Sequence, residues 1–222
     1  MKNLQKLGGF AALYLAAAYL LGIILFLVVL DYLNIVDPAQ KVALIVEKQV
    51  VIYTTNLLMY VLFGFVLVVL ALALYERLKN ASPALIRSAT VIGFIWAGAL
   101  IASGMVSNAS IAPVVDLYSK DPAQAALTWT TIETVTNGLS GGSGEILGGV
   151  FTLLMSFAAL QMRGLPKGLN VLGLVVGAVG IISTIPGLSD LSGVFGLTQI
   201  LWFVWVGLVL LRRSPAATSM KE

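Results

Sequence analysis

Residues 137–145 read NGLSGGSGE and mark the point where the chain passes from a polar connection into an apolar segment. Four glycines lie in the seven positions before Glu145, and no charged residue follows until Arg163. Irregular backbone at membrane depth persists only where protein or a water-filled cavity satisfies its N–H and C=O groups. The stretch therefore predicts a glycine-rich break that opens an apolar helix and a place where a site can form.

The composition around this break is that of an integral membrane protein. The 222 residues are 59% hydrophobic and 10% charged, and the mean hydropathy is +0.99. Soluble domains carry about 25% charged residues. The chain has no cysteine and no histidine, which excludes disulfides, thiolate nucleophiles and histidine-based triads, and argues against the usual zinc and haem sites. We expect no metal site and no catalytic residue, and the cofactor stays open.

Six stretches are long enough to cross the roughly 30 Å of bilayer hydrocarbon. The first follows Lys2 and Lys6 but is longer than the apolar core of a signal peptide, so we expect it to be a retained helix. The sequence thus predicts an all-α integral membrane protein with a six-helix bundle, in one domain over residues 1–213 with a tail over 214–222. The predicted spans are Gly9 to Leu30, Val50 to Tyr75, Ser88 to Asn108, Gly144 to Met162, Leu169 to Gly187 and Ser192 to Leu211.

The distribution of positive charge predicts the orientation. Cytoplasmic loops are enriched in lysine and arginine. With six spans and a cytoplasmic N-terminus, ten of the thirteen basic residues lie inside, and the exceptions are Lys41, Lys48 and Lys120. We therefore expect a multi-pass protein of the cell membrane with both termini in the cytoplasm. A net charge of +3 then reflects topology, so nucleic acid is not expected as a partner.

Long outer connections are predicted at residues 31–49 and 109–143. Within the second, Asp121-Pro122 is typical of a helix cap followed by a first-turn proline. We expect a short interfacial or partly re-entrant helix here, before the fourth span. In this arrangement Trp129 lies at the headgroup level and Glu133 faces water.

Glu145 allows two interpretations. It caps the fourth helix at the water interface, or the glycine-rich break turns inward and presents its carboxylate to a cavity, where it binds a cation or moves a proton. Other polar residues are predicted at a similar depth, although hydrogen bonding between helices also explains them. The candidate ligand-binding set is Glu145, Glu133, Asn137, Asn56, Ser103, Ser107, Asn108, Asp190 and Gln199.

Small and aromatic residues in the spans are interpreted mainly as packing. Gly173, Gly177 and Gly180 form a row at helical spacing, which lets helices approach closely. Trp202, Phe203 and Trp205 lie in the central to inner part of the sixth span, and Trp96 lies in the third. Tryptophan at such positions more often fills the bundle or contacts a partner than lies at the membrane interface.

The stretch 161–213 contains LPKGLNVLGLVVGAVGIIS and FGLTQILWFVWVGLVLLRRS. It resembles the end of a bacterial family of six-span membrane proteins catalogued as a domain of unknown function. In that family a short basic turn with Leu-Pro joins the fourth and fifth helices, and an aromatic sixth helix ends in a basic pair. The resemblance implies a six-span layout and brings no active site.

Three classes of function are compatible with these observations. The leading hypothesis is a non-enzymatic protein that binds a small ligand or lipid, or an accessory subunit of a membrane complex. The alternatives are a small transporter or channel, and an intramembrane enzyme that uses Glu133 and Glu145 as paired carboxylates. The expected partners are the lipid bilayer and either a second copy of the chain or a larger membrane complex.

Overall fold

The computed structural model describes residues 2–80, 82–141, 144–161 and 164–212, and these are helical apart from short connections, with no strand among them. The predicted tail over 214–222 lies outside the described residues. The α-helices are α1 (Lys2–Ile23), α2 (Pro38–Glu47), α3 (Gln49–Asn56), α4 (Phe63–Leu78), α5 (Pro83–Lys120), α6 (Pro122–Ser140), α7 (Ile146–Gln161), α8 (Lys167–Ile182) and α9 (Leu191–Arg212).

Two π-helical segments extend or join these helices. The first, Ile24–Val29, continues α1, and the amide of Leu30 donates to the carbonyl of Leu25 across 2.8 Å. The second, Leu57–Leu62, connects α3 to α4 without a break in the helical path. Segments of this kind are frequent at functional sites.

Four continuous helical stretches are long and apolar enough to cross a membrane, which makes the chain a helical membrane protein. They are Asn3–Val29, Gln49–Leu78, Pro83–Lys120 and Leu191–Arg212. The predicted fourth and fifth spans correspond to α7 and α8, which have 16 residues each. At 1.5 Å per residue such a helix is about 24 Å long, which is short of the bilayer core. The six-span count therefore stays a prediction.

Six helices close into a ring. In order around the ring, α1 packs against α4, α4 against α5, α5 against α7, α7 against α8, α8 against α9, and α9 against α1. The ring encloses a core of aromatic residues, with Trp96, Phe151, Trp202 and Phe203 all at most 2% exposed. The centroids of neighbouring aromatic side chains in this core are 5.6–6.3 Å apart, a range typical of favourable aromatic pairs. Trp96, Trp202 and Phe203 thus fill the bundle as predicted, whereas Trp205 is 40% exposed and does not.

The region predicted as a long loop over 109–143 is almost entirely helical, which corrects that prediction. The helix α5 continues through Pro113 to Lys120, because Ile111 and Val114 are buried in a second apolar core. The predicted cap is confirmed, since the side chain of Asp121 accepts a hydrogen bond from the amide of Gln124 at 3.0 Å. The following helix, α6, has 19 residues and packs along α5 as a hairpin.

The second core holds α2 and α6 together at one end of the ring. It contains Val42 and Ile45 from α2 together with Trp129 from α6. Trp129 is 4% exposed and packs inside the protein, while its depth relative to the headgroups stays a prediction. Its indole Nε1 donates a hydrogen bond to the Tyr32 hydroxyl at 2.8 Å, which satisfies this polar group within the core.

The opposite end of the ring gathers polar groups from three separate stretches. Arg77 at the end of α4 donates from Nε to the carbonyl of Gly164 at 3.1 Å, and from Nη1 to Gln5 Oε1 at 3.2 Å. Gln5 in turn donates to the carbonyl of Ala73. The beginning of α1, the end of α4 and the connection between α7 and α8 therefore lie together.

Candidate functional site

A cavity of about 400 Å³ lies between the two apolar cores. Its volume falls in the range of small-molecule sites, about 300–1,000 Å³. The wall is formed by Ala18, Tyr19, Gly22, Ile23, Phe26, Leu27, Tyr32, Ile52, Asn56, Met59, Tyr60, Phe63, Leu100, Ser103, Ser107, Trp129, Glu133, Thr136, Asn137, Ser140, Gly141, Glu145, Ser192 and Gly193.

Both π-helical segments contribute to this wall. Phe26 and Leu27 come from the first and Met59 and Tyr60 from the second. A π-helical turn changes which side chains face inward, so these segments place bulky residues around an open volume instead of closing it. The apolar side of the cavity thus combines residues of the two π-helical segments with residues of α1, α3, α4 and α5.

The polar side of the cavity is one face of α6. Four polar residues of α6 follow one another at helical spacing and therefore share a face of the helix. They are Glu133 and the residues three, four and seven positions later, Thr136, Asn137 and Ser140. The carbonyl of Thr136 accepts a hydrogen bond from the Ser103 hydroxyl at 2.9 Å, which fixes α6 against α5. The helix α6, which the sequence predicts to be interfacial or partly re-entrant, supplies the polar wall of the cavity.

An amide network lines the cavity next to this face. Asn56 Nδ2 donates to Ser107 Oγ at 2.9 Å and to Asn108 Oδ1 at 3.0 Å. Asn108 Nδ2 donates to the carbonyl of Tyr53 at 3.1 Å. These bonds join α3 to α5 and hold Asn56 at the cavity wall.

Glu133 is neutralised by a lysine of the second core. The ammonium of Lys41 lies 2.7 and 2.9 Å from the two carboxylate oxygens, and both side chains are 20% exposed. The same ammonium lies 5.0 Å from the centroid of the Tyr32 ring. Burial, with the charge of Glu133 as a second cause, raises the pKa of Tyr32, so this hydroxyl is neutral at physiological pH.

Glu145 lies in the connection between α6 and α7, outside the apolar helices. The helix α6 ends at Gly141, which has φ +92°, a conformation that favours glycine. A Cβ at Gly141 would lie 2.6 Å from Glu145 Cδ, so the carboxyl group is seated against the end of α6. The Glu145 amide donates to Ser183 Oγ at 3.0 Å, which anchors the connection to the end of α8.

The carboxyl group of Glu145 has neither a hydrogen-bond donor nor a cation as partner among the described residues. Its backbone carbonyl accepts a hydrogen bond from the amide of Gly149 in the first turn of α7, whereas the side chain lies against Gly141 and lines the cavity. Burial raises the pKa of this carboxyl to about 8. The inward orientation is therefore the one adopted, and the Glu145 side chain does not cap α7.

The structure brings most of the predicted site residues together. Glu145, Glu133, Asn137, Asn56, Ser103 and Ser107 line the cavity, and Asn108 holds Asn56 in place. Two predicted residues lie elsewhere. Gln199 faces α7, where its Oε1 accepts from Thr152, and Asp190 is exposed in the turn before α9.

Sequence reasoning did not identify the aromatic part of the wall. Tyr19, Tyr60 and Phe63 come from apolar helices, where an aromatic residue cannot be distinguished by composition from one that fills the core. No metal-binding group of three acidic, histidine or cysteine side chains occurs in the part of the chain that the structure describes.

These features define a helical membrane protein with a mixed apolar and polar cavity. The chain belongs to the family described as a domain of unknown function (DUF4386), whose model matches residues 10–213. Neither the comparison with curated proteins nor the comparison with solved structures gave a match.

Proposed function

We propose that this protein binds a small amphiphilic molecule in the cavity between its two cores, without chemical conversion of that molecule. The observation that carries the proposal is the division of one cavity wall into an apolar and a polar side. The apolar side, with Ile23, Phe26 and Met59, suits a hydrocarbon chain. The polar face of α6 and Glu145 suit a headgroup. Sites of this composition are typical of small-molecule binding.

The bilayer is the proposed source of the ligand. Leu27 lines the cavity, while its neighbours Val28 and Val29 lie outside the cavity and are 73% and 57% exposed, so the wall at this position is one helix thick. In the proposed topology the protein crosses the membrane six times with both termini in the cytoplasm, and the cavity lies toward the outer face. An amphiphile could then enter sideways while its headgroup stays near the membrane surface.

The separation of the two carboxylates favours binding over the enzyme hypothesis. Glu133 is paired with Lys41, while Glu145 lies against Gly141, which is eight residues further along α6. At 1.5 Å per residue this is about 12 Å along the helix. Acid and base work by a carboxylate pair on one substrate bond requires both groups within hydrogen-bond reach of the atoms that exchange protons.

The proposal is tested by photolabelling in lipid nanodiscs with a diazirine-bearing analogue of 1-decanol. We expect saturable labelling of peptides that line the cavity, among them those with Ile23 and Tyr60. Replacing Gly22 with leucine should weaken this labelling more than tenfold, because the new side chain displaces two or three ligand methylenes at about 0.8 kcal/mol each. A Cβ at Gly22 meets Met59 Sδ at 3.4 Å, an ordinary contact, so the fold should tolerate the change.

The matched control is Gly98→Leu. Gly98 lies in α5 away from the cavity, and a Cβ there meets nothing within 4 Å. This variant should label like the wild-type protein. Labelling that fails to saturate and is confined to lipid-facing residues, such as Phe65, would contradict the proposal.

A further inference from the structure

We infer that the ligand carries a protonated amine that pairs with Glu145. This inference deepens the proposed function and depends on it, since it names the chemical class of the headgroup. The observation behind it is an unpartnered carboxyl group that faces a cavity large enough for an organic molecule.

Of the acidic side chains that line the cavity, Glu145 is the one without a cationic partner among the described residues. Two acidic side chains line the wall, and Glu133 already has Lys41 as its cation. No lysine or arginine of the described residues lines the cavity itself. A carboxylate that is withdrawn from water without a partner is unfavourable, so a cation that enters the cavity gains an ion pair that the protein does not supply.

The protein contains an internal example of the proposed contact. The Lys41 ammonium is held by the Glu133 carboxylate and by the ring of Tyr32. At the other carboxylate the corresponding aromatic residues are Tyr19 and Tyr60, which line the same cavity as Glu145. The two sites thus share a carboxylate and tyrosine rings, and they differ in that the second has no ammonium group. Aromatic rings attract ammonium ions through their negative faces.

The surroundings favour an organic cation over a metal ion. Calcium requires six to eight oxygen ligands and magnesium an octahedral shell, whereas Glu145 is the single carboxylate at its end of the cavity. The Tyr19 ring packs edge-on against Phe63 with a centroid distance of 5.5 Å, so apolar atoms surround much of this space. An alkylamine places its charge at Glu145 and its chain against these rings and the apolar wall.

The inference is tested by competition. The photoactive decanol analogue is the probe, and the competitors are decylamine and 1-decanol, which have the same ten-carbon chain. In the wild-type protein, decylamine should displace the probe at a concentration at least tenfold lower than decanol. In Glu145→Gln this preference, measured as the ratio of the two displacing concentrations, should fall to within about twofold, because decylamine loses its ion pair. Glu47→Gln is the matched control, because Glu47 is exposed and lies outside the cavity, and this variant should keep the full preference.

The dependence on pH gives a second measurement that needs no variant. A primary amine keeps its proton well above pH 8. The Glu145 carboxyl has a pKa of about 8, so below that pH its proton must leave before the ion pair forms. Decylamine affinity should therefore rise about tenfold per pH unit between pH 5 and 7 and level off near pH 8, while decanol affinity stays flat. The titratable groups near Glu145 are Tyr19 and Tyr60, and the Glu133–Lys41 pair lies further along α6.

The outcomes separate this inference from the proposed function. Saturable labelling of the cavity with equal competition by decylamine and decanol would overturn the amine and leave the binding function intact. The same holds if Glu145→Gln keeps the preference. Specific loss of decylamine binding in sodium chloride, but not in N-methylglucamine chloride, would replace the organic amine with an inorganic cation. A lack of saturable labelling by the decanol analogue would overturn the proposed function itself.

Discussion

Replacing Gly177 with alanine is expected to destabilise the protein by about 1–3 kcal/mol, as is typical of overpacking in a tight interface. A Cβ at position 177 would lie 2.7 Å from the carbonyl oxygen of Gly149 and 2.7 Å from the amide nitrogen of Leu153. Both atoms are backbone, so no rotamer change relieves the contact and α7 must move away from α8. The measurement is the temperature at which the detergent-solubilised protein loses its monodisperse peak in size-exclusion chromatography.

Gly98→Ala is the matched control for this change. It also adds one methyl group within a helix, but at a position where a Cβ meets nothing within 4 Å. Because alanine is about 1 kcal/mol better than glycine in a helix interior, this control should be neutral or slightly stabilising. Equal melting temperatures for the two variants would show that the close approach of α7 and α8 does not depend on Gly177.

The second large effect is expected when Lys41 is replaced by methionine. The substitution removes both hydrogen bonds to Glu133 and leaves its carboxylate, 20% exposed, without a cation. We expect a loss of about 1–3 kcal/mol, in the range of hydrogen bonds to charged groups. Amide hydrogen exchange should increase most over α2, whose contacts to α6 include this pair.

Two comparisons make this result specific. Lys120→Met breaks the ion pair with Asp116, whose side chains are 67% and 68% exposed, and should cost under about 1 kcal/mol. Combining Lys41→Met with Glu133→Gln removes the stranded charge and should recover a large part of the stability lost in the single variant. A double variant as unstable as the sum of both single variants would contradict a direct coupling between these residues.

Some features of the fold could be predicted from the sequence because they depend only on residues that are neighbours along the chain. Asp121-Pro122 begins a helix by capping its first turn, and this requires nothing from the rest of the fold. The glycine-rich break before Glu145 is similar, since Gly141 adopts a left-handed conformation that other residues avoid. Helix type, the position of this break and six of the polar residues that line the cavity could therefore be anticipated.

What the sequence did not predict has a common cause, which is contact with distant parts of the chain. The burial of Trp129 depends on a core that includes Tyr32, 97 residues away in sequence, which accepts its hydrogen bond. Gln199 was grouped with the cavity by its depth in the span, yet rotation of α9 turns it toward Thr152. Depth follows from sequence position, whereas the direction of a side chain within a bundle depends on which helices are neighbours.

By itself, the sequence determined that this protein is helical and apolar enough for a membrane, and it located a carboxylate after a glycine-rich break. Those properties follow from composition, hydrophobic length and backbone preferences, which act over a few residues. Only the tertiary structure decided that Glu145 faces a cavity without a partner while Glu133 is paired with Lys41. The reason is that ion pairing and cavity formation depend on which side chains of α1, α2, α5 and α6 come together. No local pattern in the sequence specifies those contacts.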